Sequence, residues 1–355
     1  MTTPRGEGPG EVAGRWPPRP ESGGPEPEPG TAASYERVPF RADSAVPDPE
    51  PGARPALEAR FAVTEPVDLR LSLGPLRHGP GDATIRFGRD GVWLARRTAA
   101  GPASLRLWTD AGDGAVHAQA WGPGAEVAME AVPAVAGLLD EPADLVAHHP
   151  LVGELQRRFA GLRLPRTGQL LPALAPAVIE QKVTVGEAHS AYAALLRRVA
   201  GAAPGPGGLQ LPPAGPQLAA LPYFEFHPMG LERRRAELLR SIGRLESRIE
   251  SWVELPPEEA RSRLQSIPGV GPWTAAEATR IAFGDPDAIS VGDAHLPDLV
   301  AWALAGQARA DDSRMLELLA PYAGQRGRVI RLLEVSGIKI PRFGPRFTPG
   351  RFERL

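Results

Sequence analysis

Apolar residues change their period along this chain. Between residues 57 and 123 they alternate with polar ones in short stretches: Val67-Asp68-Leu69-Arg70-Leu71, Ala83-Thr84-Ile85-Arg86-Phe87, Gly91-Val92-Trp93-Leu94-Ala95, Ser104-Leu105-Arg106-Leu107-Trp108 and Ala115-Val116-His117-Ala118-Gln119. Each is bounded by Gly, Pro or Asp, and a period of two predicts the strands of a small antiparallel sheet. The apolar run over 125–139 predicts a helix covering one face of that sheet. After Pro142 the period becomes helical, as in Leu145, Val152, Leu155 and Phe159. One long helix is predicted over 177–199 and a strongly amphipathic one over 233–252. A Gly/Pro-rich loop over 201–216 interrupts this helical stretch, which runs to about residue 335. Residues 1–56 hold 13 Pro and 8 Gly with almost no apolar period, a pattern that predicts disorder. The predicted class is α+β, divided as 1–56 (disordered tail), 57–142 (sheet with covering helix), 143–340 (all-α domain) and 341–355 (basic tail).

Composition narrows the chemistry. The 355 residues contain no cysteine, which excludes disulfides, a cysteine nucleophile, thiolate zinc and a cysteine-ligated iron–sulfur cluster. No apolar run approaches the roughly 18 to 20 residues of a membrane span, and the N-terminus lacks a signal-peptide layout, so a cytoplasmic protein without membrane attachment is expected. With 40 Lys+Arg against 42 Asp+Glu, the net charge of −2 argues against a nucleic-acid partner when taken alone. Its distribution reverses that argument: residues 1–56 carry six basic and nine acidic groups, whereas 321–355 carry eight basic and two acidic ones. The C-terminal excess predicts a phosphate-facing stretch. Lysine occurs only as Lys182 and Lys339, an arginine bias that a GC-rich genome explains.

The most informative segment is Leu264-Gln265-Ser266-Ile267-Pro268-Gly269-Val270-Gly271-Pro272-Trp273-Thr274-Ala275-Ala276. Helical residues stop at Pro268, turn through two glycines, and restart at Pro272, a residue suited to the first helical position. Glycines at 269 and 271 let backbone N–H groups approach an anion at the new helix's N-terminus, where the helix dipole favours it. Some twenty residues on lies Phe283-Gly284-Asp285-Pro286-Asp287-Ala288-Ile289-Ser290-Val291-Gly292-Asp293-Ala294-His295-Leu296.

Together the two segments resemble the helix-hairpin-helix DNA glycosylases, whose signature is this hairpin, a Gly/Pro-rich loop and a catalytic aspartate. The resemblance implies a hairpin-containing helical glycosylase domain. It puts Asp293 on the catalytic carboxylate and His295 on a phosphate-contacting position, with Pro268, Gly269, Val270, Gly271 and Thr274 in the DNA-gripping hairpin. A carboxylate suits the chemistry: cleaving an N-glycosidic bond builds oxocarbenium-like charge, which an anion stabilises while it orients or deprotonates water. Asp285, Asp287 and Asp298 compete for this role, but two lie in the loop and Asp298 points to another side of its helix. Strand-cutting members carry a lysine two residues after the second hairpin glycine. Here that residue is Trp273, which cannot be a nucleophile but can stack on a flipped, positively charged base. Trp at this point resembles the bacterial alkylation-repair, 3-methyladenine glycosylase II group, and the missing cysteines agree with a branch lacking the iron–sulfur cluster. Glu277 falls where that group carries a pocket aromatic, and Tyr322 where a Trp is usual.

The stretch Pro176-Ala177-Val178-Ile179-Glu180-Gln181-Lys182-Val183-Thr184-Val185 resembles the family's Ile-Leu-Gly-Gln-x-Val-Ser-Val segment. Gln181 matches, and Lys182 occupies the wedge that fills the gap left by an extruded base. Met229-Gly230-Leu231-Glu232-Arg233-Arg234-Arg235-Ala236 is similar to the segment preceding the hairpin. The resemblance therefore implies a monofunctional glycosylase for alkylated purines in base excision repair. It would be a monomer on damaged double-stranded DNA at the bacterial nucleoid, needing no organic cofactor and no metal beyond a monovalent cation at the carbonyls of Ile267 and Val270. The rival expectations are a glycosylase for an oxidised or deaminated base and a catalytically inactive DNA-binding protein.

Overall fold

The computed structural model describes residues 54–340, apart from 111 and 113, and the backbone of Glu36–Arg37. The readings of 1–56 as a disordered tail and of 341–355 as a basic tail lie almost wholly outside these residues. Six antiparallel strands form one sheet in the order β1-β2-β6-β5-β4-β3: β1 (Glu36–Arg37), β2 (Leu57–Ala62), β3 (Ile85–Gly88), β4 (Gly91–Thr98), β5 (Gly101–Asp110) and β6 (Ala115–Trp121). The register pairs Val92 with Leu107 and Leu94 with Leu105, so alternate residues of β4 and β5 share one buried face. On that face, Ala59, Phe61, Leu105, Leu107 and Val116 pack beneath helices α1 (Leu69–Leu73), α2 (Ala125–Glu130) and α3 (Val132–Val135).

Three local expectations change here. The alternating residues 67–71 form no strand: Asp68 caps α1 by accepting the N–H of Leu71 at 2.9 Å. The covering helix over 125–139 is broken at Ala131, because Pro133 has no N–H to continue the ladder. The 201–216 loop lies on the outer sheet face, where Leu209 and Leu211 join Trp93, Ala95 and Trp121 in a small cluster. That covering explains why β4 is buried on both faces along Val92–Ala95.

The helical region follows as α4 (Pro150–Arg158), α5 (Leu171–Ile179), α6 (Val185–Val199), α7 (Gly215–Ala220), α8 (Tyr223–Phe226), α9 (Arg233–Arg244), α10 (Glu246–Glu250), α11 (Pro257–Gln265), α12 (Pro272–Phe283), α13 (Leu296–Ala305), α14 (Asp312–Leu319) and α15 (Arg326–Val335). The helix expected over 177–199 is in fact α5 and α6, separated by residues 180–184. Thr184 starts α6 with a capping box, its hydroxyl meeting the N–H of Glu187 while the Glu187 carboxylate receives the N–H of Thr184. The helix expected over 233–252 likewise breaks at Leu245.

These helices bury two separate cores. One joins α5, α6, α9, α11 and α12 through residues such as Leu174, Leu195, Leu239, Leu264 and Ala278. The other joins α4, α13, α14 and α15 through Val152, Val300, Met315 and Val329. The connection from α12 to α13 therefore crosses from one core to the other, and it carries Asp293. Among the described residues no helix is long and apolar enough to cross a membrane.

Candidate active site

The hairpin is built by its backbone. After α11, Ser266 and Ile267 donate to the carbonyls of Arg263 and Leu264, and Val270 N–H closes the turn on Ile267 at 3.0 Å. Gly269 has φ +99°, a left-handed conformation that an L side chain rarely adopts, and an added Cβ would sit 3.1 Å from Leu238. Gly271 caps α12 without a side chain, and Pro272 occupies the first helical position. The N–H groups of Gly271, Trp273 and Thr274 therefore meet no acceptor among the described residues, and nothing stands within 4 Å of a Cβ at Gly271. This open, donor-rich helix start suits an anion. Ile267, Val270 and Thr274 are buried, whereas Pro268 and Gly269 between them are exposed.

Asp293 lies one helix away. Its Oδ1 accepts the N–H groups of His295 at 2.7 Å and Leu296 at 3.0 Å, at the entry to α13. Its Oδ2 accepts the indole N–H of Trp273 at 2.9 Å. Three donors and no acceptor surround the carboxylate, which suits an acceptor-only group and leaves Oδ2 able to take one more hydrogen. The loop that presents it is fastened on both sides. Asp293 N–H donates to the Ser290 carbonyl at 3.2 Å, the buried Ser290 hydroxyl donates to Glu277, and Gly292 N–H donates to Asp312 at 3.0 Å.

The competing aspartates have structural partners. Asp285 is buried and paired with Arg261; burial pushes its carboxyl up, opposed by the Asp287 N–H and the Arg261 guanidinium. Asp287 binds Arg326 and the N–H groups of Gly324 and Arg326. Asp298 accepts the N–H of Ala310 at 2.9 Å.

Gln181 ties the 180–184 loop to the hairpin: its amide donates to the Gly269 carbonyl at 3.1 Å and to the Thr274 hydroxyl at 2.8 Å. Gln181 and Thr274 thus bind each other. Lys182 follows, exposed and at φ 55°, the one non-glycine residue with positive φ among the described residues. Its side chain stands at a loop tip held against the hairpin.

No protein-family model matches this sequence, and no curated protein matches it. Solved structures do. A 3-methyladenine DNA glycosylase from Archaeoglobus fulgidus is 17% identical with a TM-score of 0.62, the match covering 78% of this chain and 97% of that one. An 8-oxoguanine glycosylase/lyase from Clostridium acetobutylicum is 13% identical with a TM-score of 0.60, covering 78% of this chain and 95% of its own. The chain shares the fold of these two solved DNA glycosylases.

Within this fold, the expected residues Trp273, Asp293, Gln181 and the hairpin glycines come together, and His295 is exposed beside Asp293. Glu277 lies one turn beyond Trp273, but its oxygens are committed to Ser290 and Arg280. The basic stretch is largely internal where it is described: Arg326 binds Asp287, Arg328 is buried against Asp140, and Arg331 binds Glu334 and the Leu71 carbonyl. Charge counting treats arginines as solvated and so misplaced these three. Arg235 is also buried, donating to the Ile179 carbonyl at 2.7 Å. Tyr322 is a core residue.

Sequence reasoning missed two residues that fasten the Asp293 loop, Ser290 and Asp312. Ser290 lies in a string that the resemblance had already marked, and Asp312 does not. At the hairpin, the Ile267 carbonyl keeps one lone pair beyond the turn bond, which is compatible with a monovalent cation. Among the described residues, no three His, Asp or Glu side chains group as metal ligands.

Proposed function

We propose that this protein is a monofunctional DNA glycosylase that releases alkylated purines. One observation carries the reading: a single carboxylate, Asp293, is clamped by the indole N–H of Trp273 and two backbone N–H groups, beside a hairpin that leaves the N–H groups of Gly271, Trp273 and Thr274 unmatched among the described residues. The fold supports the reading, and the two solved structures named above are described as acting on 3-methyladenine and 8-oxoguanine.

In this mechanism, the amides of Gly271, Trp273 and Thr274 hold a backbone phosphate of double-stranded DNA. The damaged nucleotide rotates out, at an unstacking cost of a few kcal/mol, and Lys182 at its loop tip faces the vacated gap. Trp273 offers its ring to the base while its N–H aims Asp293. The N-glycosidic bond breaks with its electron pair leaving on the base, and Asp293 stabilises the positive sugar and takes a proton from the attacking water. The products are free base and an abasic site. With tryptophan at 273, the hairpin supplies no amine to open the sugar, so the strand stays intact.

Duplexes carrying single defined lesions test this. Alkali-labile sites should form at N3- or N7-methylated purines, with no break before alkali. Breaks without alkali would overturn the monofunctional assignment, and release from oxidised or deaminated bases alone would overturn the alkylated substrate.

A further inference from the structure

Asp293 is the last residue of a four-residue turn. Its N–H closes the turn on the Ser290 carbonyl at 3.2 Å, with Val291 and Gly292 at the centre. Gly292, third in the turn, has φ +90°, the left-handed conformation that a type II turn reserves for glycine. Turns of types I and II differ mainly in the orientation of the central peptide, here Val291–Gly292, so a partner is needed to fix which way its N–H points. Asp312 is that partner. Its Oδ2 accepts the Gly292 N–H, the amide hydrogen of the central peptide, at 3.0 Å.

The two anchors of this turn belong to different cores. Asp312 stands in the first turn of α14, next to Asp311, which caps that helix by accepting the Arg314 N–H at 2.9 Å. Met315 and Leu319 seat α14 in the core it shares with α13 and α15. Ser290, at the start of the turn, is buried, and its hydroxyl donates to Glu277 on α12, a helix of the other core. Asp312 also carries a mark of poor service to stability: its Oδ1 is buried and has no hydrogen-bond partner among the described residues. A buried carboxylate oxygen left in that state is destabilising, and the bond its side chain makes is the one to Gly292.

We propose that Asp312 is a positioning residue for Asp293. By fixing the central peptide of the turn, it sets the direction in which Asp293 leaves the turn toward the Trp273 indole and the α13 amides. This rests on the glycosylase reading above and adds to it a residue that acts through the loop. What Asp312 supplies is an acceptor oxygen at the right reach, and its charge is not required. A carboxylate aimed in advance stabilises developing charge without reorganising, and small misplacements of such a group slow a reaction steeply.

The test uses the base that the wild-type chain removes fastest from duplexes with single defined lesions. Its single-turnover release is measured for each variant, together with affinity for a duplex holding a tetrahydrofuran abasic analogue. Asp312→Ala removes the acceptor and should slow release about tenfold to thirtyfold, with affinity within about twofold. Asp312→Asn keeps an acceptor oxygen at the same reach and should return the rate to within about threefold of wild type. Asp312→Glu keeps the charge but displaces the oxygens by one methylene; its rate should fall about threefold to tenfold, which keeps the inference testable if the alanine variant does not fold. In an Asp293→Asn background there is no carboxylate to aim, so Asp312→Ala should cost less than about a further twofold, whereas general loosening of the structure would cost the same factor in both backgrounds. An alanine variant at the wild-type rate, an asparagine variant as slow as alanine, or an undiminished loss in the Asp293→Asn background would overturn the inference and leave the glycosylase reading in place. A wild-type chain that releases no base from any of the duplexes would overturn both.

Discussion

The two connections that flank α12 do opposite things with their polar groups. The hairpin before it buries Ile267, Val270 and Thr274 and leaves the N–H groups of Gly271, Trp273 and Thr274 without an acceptor among the described residues. The loop after it uses its polar side chains inwardly: Asp285 on Arg261, Asp287 on Arg326, Ser290 on Glu277, and Asp293 under three N–H donors. The first arrangement suits a partner that brings its own negative charge. The second suits chemistry, because a carboxylate already fixed in direction spends no reorganisation when charge develops beside it. On the proposed function, binding and catalysis would divide between the two ends of one helix.

The largest effect should come from the loop. Asp293→Asn keeps the shape but sets an amide NH2 among donors, so base release should fall about 10²- to 10⁴-fold in single-turnover assays. Affinity for the same duplex should hold within about threefold. Equal losses in rate and affinity would erase the division between the two connections.

Next come the hairpin glycines, which should separate from each other. Gly271 has φ −90° and open space around it, so Gly271→Ala should leave the thermal midpoint unchanged yet weaken DNA binding about threefold to tenfold. Gly269→Ala should instead cost about 1 to 2 kcal/mol of folding stability in denaturant titrations, because it forces a left-handed backbone. A stability loss at Gly271 equal to that at Gly269 would show that the fold, rather than DNA, requires both.

A smaller effect is expected at Ser290. Ser290→Ala frees Glu277 and loosens the loop, and should slow base release about threefold with DNA affinity unchanged. The smallest should follow Gln181→Ala, which cuts the tie between the 180–184 loop and the hairpin. Its loss of about twofold should appear in DNA affinity rather than in the rate with bound substrate.

Much of the site was legible because its constraints are local. The Pro268 to Pro272 string dictates a turn and a helix start whatever surrounds it, and Asp293 stands at a definite separation along the chain. The sheet was legible for the same reason, as alternation in β4 and β5 requires only that one face be covered. The misreadings have local causes too. Residues 67–71 alternate, but Asp68 also offers a helix cap, and alternation over five residues cannot choose between them. The run over 177–199 is rich in Ala, Leu and Val, and its break shows in the polar residues 180–182 and in Thr184 and Glu187, whose capping-box spacing marks the start of α6.

The sequence by itself determined where the backbone turns and where glycine is required, since steric limits on φ and ψ act between neighbours, while the resemblance pointed to Asp293 among the aspartates before α13. Tertiary structure alone decided which charges are spent. It turned Arg326, Arg328 and Arg331 inward, joined the Trp273 indole to Asp293, and brought His78 to Glu180. Hydrogen bonds and ion pairs act over a few ångströms of space, and no local pattern encodes which distant side chains will meet there.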